Sequence, residues 1–341
     1  MTNPPTLKEV AQRAGVHVTT ASRALNPATS SLVNPVTMRR VQAAARELRY
    51  QPNAMARGLK TSRSMSVGVL LPDLTNPLFP PIVRGIEDVL ARAGYTTLIA
   101  NTDNDPERQT TLFDTLRARQ VDGIIVATAR RTDKLFVDAH QQGVRIVLVN
   151  RRVDHSDIPS VTGDDHNGVA TAVRHLVDLG HQRIAHIAGP QDTTTGRVRL
   201  QAYRQALDDA GVEADPALVA MADEFTEVAG AKAARSMFDT NSRPTAVIAA
   251  NDMIALGCLD VFGERQMRCP EQVSLIGFND MPFVDRLTPP LSTVRVPHHQ
   301  IGAEAARMLL DGLASPGLPA KSITLPATLV LRHSTAPPPR T

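Results

Sequence analysis

The chain is 341 residues long, 42% hydrophobic and 21% charged, with no tryptophan and only 3% aromatic residues. That is room for a small domain plus a large one. No apolar run approaches the roughly 18 residues that a membrane span needs, and the leading "MTNPPTLKEV" has no apolar core of a signal peptide, so a cytoplasmic, membrane-free protein is expected. Residues 1–63 hold ten lysines and arginines against two glutamates, which puts +8 on the head and, with +3 on the whole chain, −5 on the remainder. A basic head on an acidic body predicts a polyanion partner for the head alone.

Thr6-Leu7-Lys8-Glu9 has the spacing of a capping box. Leu7, Val10, Ala11 and Ala14 follow at helical spacing, and Gly15 supplies a turn. A second helix is predicted from about Val18 to Leu25, ended by Asn26-Pro27. A third opens with Asn34 as cap and Pro35 in the first turn, its inner face being Val41, Ala44, Ala45 and Leu48. In the second helix Ala21, Ala24 and Leu25 can pack inward, which leaves Val18, Thr19, Ser22 and Arg23 outside on a helix too short to be stable alone. Small hydroxyl and methyl groups near a helix N-terminus, with an arginine one turn on, suit base edges in a DNA major groove. A plain surface helix of a small bundle would show the same pattern. The stretch "NAMARGLK", residues 53–60, is too short to be helical by itself and contains Gly58.

From residue 64 the pattern switches to short aliphatic strands alternating with helices. "SVGVLLPD", "TTLIAN", "GIIVAT" and "RIVLVN" come first; "RIAHIAGP", "LVAMA", "TAVIAAN" and "VSLIGFND" follow after a break near "PSVTGDD". This predicts parallel sheets with helices on both faces, arranged as two similar lobes. Ligands of open α/β sheets sit at the carboxyl ends of strands, and Asp73, Asn101, Thr128, Asn150, Asn251 and Asn279 end or follow strands. No dinucleotide fingerprint, phosphate loop, nucleophile elbow or zinc-protease motif occurs. Cys258 and Cys269 are isolated, and His175, His181 and His186 show no metal spacing, so neither a disulfide framework nor a cofactor or metal centre is expected. The tail "STAPPPRT" has no leucine heptads that would form a tetramerising coiled coil.

The motifs "TLKEVAQRAGV", "TTASRALN", "RELRYQPNAMARGLK", "HQRIAHIAGP", "RPTAVIAANDMIALG", "VSLIGFND" and "PLSTVRVP" together resemble the LacI/GalR family of transcriptional regulators. The resemblance implies a helix-turn-helix head over 1–52, a hinge helix and linker over 53–63, and a periplasmic-binding-protein-like (type I) α/β effector domain over 64–341. It places one lobe at about 66–160 plus 293–320 and the other at 161–292 plus 321–335. It makes Val18 and Thr19 the variable base-reading positions and Arg23 a further base or phosphate contact. Thr20, Ser22, Asn26 and Tyr50 would fix the head on phosphates, with Thr6 and Lys60 also facing DNA. Leu59 would be the apolar wedge at a minor-groove step, with Ala56 packed beside it. Two departures stand out: His17 replaces the usual Ser or Thr cap, which predicts a less firmly started helix, and the loop "NPATSSLV" is about two residues longer than the resemblance implies.

In the body the resemblance implies an effector cleft lined by Leu78, Phe79, Asp103, Thr128, Asn150, Arg151, Thr195, Arg199, Phe225, Asn251 and Asn279. Phe225 would stack on the ligand and Arg199 would be its arginine. Arg151 adds a second guanidinium that suits an acidic ligand, or else forms a salt bridge with Asp103 or Asp154. The expectation is a homodimeric repressor on a pseudo-palindromic DNA operator, controlled by a small polar effector such as a sugar or sugar acid. Alternatives are the same architecture with the effector as corepressor, a solute-binding protein without a DNA role, and, more distantly, an enzyme.

Overall fold

The computed structural model describes residues 5–26, 29–50, 63–239, 243–315, 317 and 319–339. The chain divides into two compact units, Met1–Ser64 and Met65–Thr341.

The head is built from α1 (Leu7–Arg13), α2 (Val18–Leu25), a 3-10 turn at Ser30–Leu32 and α3 (Pro35–Glu47). The capping box forms as its spacing predicts: Thr6 accepts from the Glu9 backbone, and the Thr6 N–H donates to Glu9 Oε2 at 2.6 Å. Val10, Ala11, Ala21, Ala24, Val41, Ala44 and Ala45 make a small-residue core that lets three short helices approach closely. Arg40 holds the first turn shut by donating from Nε and Nη2 to the Ala14 carbonyl at 3.1 and 2.8 Å.

The body carries twelve strands among the described residues, in two six-stranded sheets. The first sheet comprises β1 (Ser66–Leu71), β2 (Thr96–Asn101), β3 (Gly123–Val126), β4 (Ile146–Val149), β5 (Ser160–Gly163) and β11 (Ser322–Leu325), in the order β11-β5-β4-β3-β1-β2 and all parallel. The second comprises β6 (Ile184–Ala188), β7 (Val219–Met221), β8 (Ala246–Ala249), β9 (Ser274–Asn279), β10 (Ser292–Arg295) and β12 (Thr328–Val330), in the order β12-β10-β9-β8-β6-β7, with only β12 antiparallel. Central strands such as Gly123–Val126 and Ala246–Ala249 are buried throughout, which is why they read as continuous aliphatic runs.

The helices are α4 (Phe79–Arg92), α5 (Pro106–Ala118), α6 (Lys134–Gln141), α7 (Asp165–Asp178), α8 (Thr194–Asp209), α9 (Glu227–Asp239), α10 (Asp252–Glu264) and α11 (His298–Ala314). Helix α11 lies against α4 at glycine contacts. A methyl group at Gly85 would collide with the His299 carbonyl, and one at Gly302 with that of Ile82.

The lobes divide differently from the sequence expectation. Residues 160–163 and 322–325 belong to the first sheet, where Ser322 pairs with Ser160, while 292–295 belongs to the second, where β10 pairs with β9. The segments 161–163 and 321–325 therefore move from lobe two to lobe one, and the start of the 293–320 segment moves the other way. The chain crosses between lobes after Gly163, after Arg295 and after Leu325. These crossing strands are four residues long and rich in Ser and Thr, so nothing in their composition says which sheet they join.

Candidate DNA-reading face and effector cleft

In the head, Ala21 and Ala24 face the core, Leu25 is half-buried, and Val18, Thr19 and Arg23 are exposed, Val18 to 37%. Thr20, Ser22, Asn26 and Tyr50 are half-buried around that face, and Thr6 is exposed at the start of α1. His17 does start α2: its Nδ1 accepts from the Thr19 backbone at 3.4 Å and lies 2.8 Å from Thr19 Oγ1. The imidazole thus takes the place of a Ser or Thr cap and also fixes the Thr19 hydroxyl, so the expected loss of a cap does not occur. In the long loop, Thr29 Oγ1 donates to the Arg23 carbonyl at 3.1 Å and ties the loop to the end of α2. Ala56, Leu59 and Lys60 lie outside the described residues.

In the body, one cavity between the lobes is lined by Asn76, Leu78, Phe79, Asn150, Arg151, Thr195, Arg199, Phe225, Asn251 and Asn279. Nine of these ten were expected from sequence. Asn76 was missed; in "TNPLF" it reads only as a turn former, and its Oδ1 does accept from the Leu78 N–H at 3.1 Å. Asp103 and Thr128 are not among the lining residues. Asp103 is exposed and paired with Arg108 at 2.8 Å. Thr128 is buried with its Oγ1 unpartnered among the described residues. The free space at the centre is about 20 Å³, room for one water-sized molecule. It meets a wider mouth of about 140 Å³ at Asn76, Phe79, Arg151 and Phe225. Phe225 presses on Gly189, where any side chain would overlap its ring. A monosaccharide therefore needs Phe225 to swing or the lobes to part.

The polar groups differ in how free they are. Asn251 caps α10, accepting from the Ile254 N–H at 2.8 Å, and its Nδ2 donates to the Phe225 carbonyl at 3.3 Å. The Thr195 hydroxyl donates to Thr193 Oγ1 at 3.3 Å. Asn150 follows β4 and Asn279 ends β9, at φ 66° and 114°, conformations that turn the backbone beside the cavity that both line. Asn279 Oδ1 is buried with no hydrogen-bond partner among the described residues.

Arg199, 3% exposed, is braced on three sides: Nη1 donates to the Ala250 carbonyl at 2.6 Å, Nη2 to Asp165 Oδ1 at 2.9 Å, and its guanidinium carbon lies 3.8 Å from the Phe278 ring centroid. Its Nε remains unpartnered. Burial holds the Asp165 carboxyl above its ordinary range, against the opposing pull of Arg199. Within the first lobe Asp154 binds Arg131 at 2.8 Å; across the lobes it binds Arg197 of α8 at 3.1 Å, and the Arg131 N–H donates to the Asp192 carbonyl at 2.8 Å. Asp103 and Asp154 thus have other partners, and neither pairs with Arg151.

A three-helix head with an exposed polar face and a two-lobed body with a polar cleft define a DNA-binding regulator with a ligand-binding body. Residues 6–53 match the bacterial regulatory proteins of the lacI family, and residues 173–335 match a periplasmic binding protein-like domain. The repressor CytR of Escherichia coli (strain K12) is 35% identical over 331 residues, 97% of this chain and 96% of that protein. The ribose operon repressor of the same strain is 31% identical, over 96% and 99%. Among solved structures, the lac repressor dimer bound to operator and the anti-inducer ONPF matches with a TM-score of 0.88 at 28% identity, over 98% of this chain and 100% of that one. A complex of the transcriptional regulator CelR with cellobiose matches with a TM-score of 0.75 at 32% identity, over 97% and 99%. The chain belongs to the lacI family and is a sequence-specific DNA-binding transcriptional regulator.

Proposed function

We propose that this regulator is a homodimeric repressor whose hold on a pseudo-palindromic operator is released by a small polar effector bound in the cleft between the lobes. The observation that carries the reading is the convergence of Asn76, Arg151, Arg199, Phe225 and Asn279 from both lobes on one cavity. A ligand that touches both lobes changes the free energy of closing them, and can act on DNA only through its different affinity for the two arrangements. Val18, Thr19 and Arg23 read bases, and Leu59 wedges the minor groove where two hinge segments meet. The sugar complexes among the relatives support a hydroxylated ligand.

Relatives that are regulators favour a non-catalytic role for the cleft, and the basic head favours a cytoplasmic partner, DNA, over a transporter. The test is operator binding by fluorescence anisotropy, titrated with each compound that raises the thermal stability of the protein. Release of operator by such a compound supports the reading. Cleft ligands that leave operator affinity unchanged sink it, and tighter binding reverses the sign to corepression.

A further inference from the structure

The cleft holds an unmatched charge. Arg151 is only 7% exposed, its guanidinium makes no hydrogen bond or ion pair with any described residue, and its Nε is fully enclosed. Of the acids near it, Asp165 pairs with Arg199, Asp154 with Arg131 and Arg197, Asp103 with Arg108, Asp192 with Arg130 at 3.6 Å and Asp223 with Lys232, while Asp73 and Glu224 line the neighbouring mouth without an ion pair to it. An isolated buried cation is costly, and proteins ordinarily pair it. Burial pulls the Arg151 guanidinium down to about 10, with Asp192 drawing it back and Arg130 and Arg199 pushing it further down; it stays cationic at neutral pH.

We infer that the effector is an anion: a hydroxylated organic molecule of monosaccharide size whose single acid group, carboxylate or phosphate, is received by Arg151 beside the free Nε of Arg199. This rests on the regulator reading above and specifies its ligand. A neutral sugar could satisfy the hydrogens of the Arg151 fork but would leave its charge unbalanced, whereas a carboxylate or phosphate does both, with two parallel hydrogen bonds. The unpartnered Asn279 Oδ1 lines the same cavity and calls for a hydroxyl donor, so the rest of the ligand is a polyol. The Phe225 ring, its centroid 5.7 Å from the Arg151 guanidinium carbon, offers an apolar face to a sugar ring. The mouth carries Asp73, Asp192, Asp223 and Glu224 against Arg130. That rim repels a second negative group, so the one acid points inward.

The experiment uses the full chain, with calorimetry and thermal unfolding in D-gluconate, D-glucuronate and D-glucose 6-phosphate against D-glucose and D-ribose, and in inorganic phosphate against chloride at equal ionic strength. An acidic sugar is expected to bind at least about tenfold more tightly than its neutral counterpart, and Arg151→Gln to remove that preference while changing neutral binding less than about threefold. The carboxylate and phosphate arms identify which acid is preferred. Inorganic phosphate should stabilise the protein saturably, and this should vanish in Arg151→Gln but persist in Arg108→Gln, which removes a cation outside the cleft. Should Arg151→Gln not fold, Arg151→Lys keeps the charge without the fork and should retain only part of the anion response. Neutral sugars binding as tightly as acids, equal losses for both in Arg151→Gln, or no Arg151-dependent response to any acid probe or to phosphate overturns the inference. Operator binding on the same samples separates the two readings. A neutral sugar that shifts operator binding removes this inference alone; an acid held by Arg151 without effect on operator removes the proposed effector control alone.

Discussion

Arg199→Ala tests whether this arginine braces the lobe as well as meeting ligand. The substitution leaves Asp165 buried without its cation and the Ala250 carbonyl without its donor, and strips a guanidinium from the face of Phe278. Breaking a buried pair by removing one partner costs about 3–5 kcal/mol. For a body of this size each kcal/mol moves the unfolding midpoint by about 2–4 °C, so a fall of roughly 6–20 °C is expected. The penalty also depends on pH. Without Arg199 the folded-state pKa of Asp165, already raised by burial, rises further above its unfolded value. Between those two values the folded protein holds the extra proton, so stability falls as pH rises, and the penalty is larger at pH 8 than at pH 5. Differential scanning calorimetry at both pH values, on Arg199→Ala, Asp165→Asn and the double variant, measures the effect and its coupling. A loss under about 1 kcal/mol, or additive single effects, would refute the bracing argument.

Three further outcomes are expected. Asp154→Ala should loosen the cross-lobe contact with Arg197 by about 1 kcal/mol, discounted because Arg197 is about a third exposed; fluorescence transfer between dyes on the two lobes should show a wider separation, and an unchanged distance discards the contact as a clasp. His186 is enclosed, stacked on Tyr203 and hydrogen-bonded to the Ile248 carbonyl at 2.8 Å, and burial holds it down at about 4. The unfolded chain therefore takes up that proton first, so stability is complete above about pH 6.5 and falls by about 3 kcal/mol as pH drops to 4; chemical unfolding across this range should show a shallower slope in His186→Gln. Changing Val18 and Thr19 together should alter which operator is preferred while the salt slope of binding stays near its original value; a changed slope with an unchanged preference means that they face phosphate.

Much of the architecture was legible in order along the chain. Local chemistry decides it: the Thr6–Glu9 capping box, Pro35 in the first turn of α3, the alanine face of α2, and the aliphatic runs that only doubly covered parallel strands carry. Of the six strand-end polar residues, Asn150, Asn251 and Asn279 line the cavity and Asp73 its mouth, because parallel strands place their carboxyl ends at one edge, whereas Asn101 and Thr128 line neither. What the chain could not show was partnership at a distance. The short strands at 160–163, 292–295 and 322–325 join sheets by hydrogen bonds to segments as far as 162 residues away, as between Ser160 and Ser322. The state of the arginines was also tertiary. In sequence, Arg151 could equally pair with Asp103 or Asp154. Only the packed structure gives those acids to Arg108, Arg131 and Arg197 and leaves Arg151 enclosed and uncompensated, because pairing depends on a few ångströms of placement that spacing along the chain does not encode.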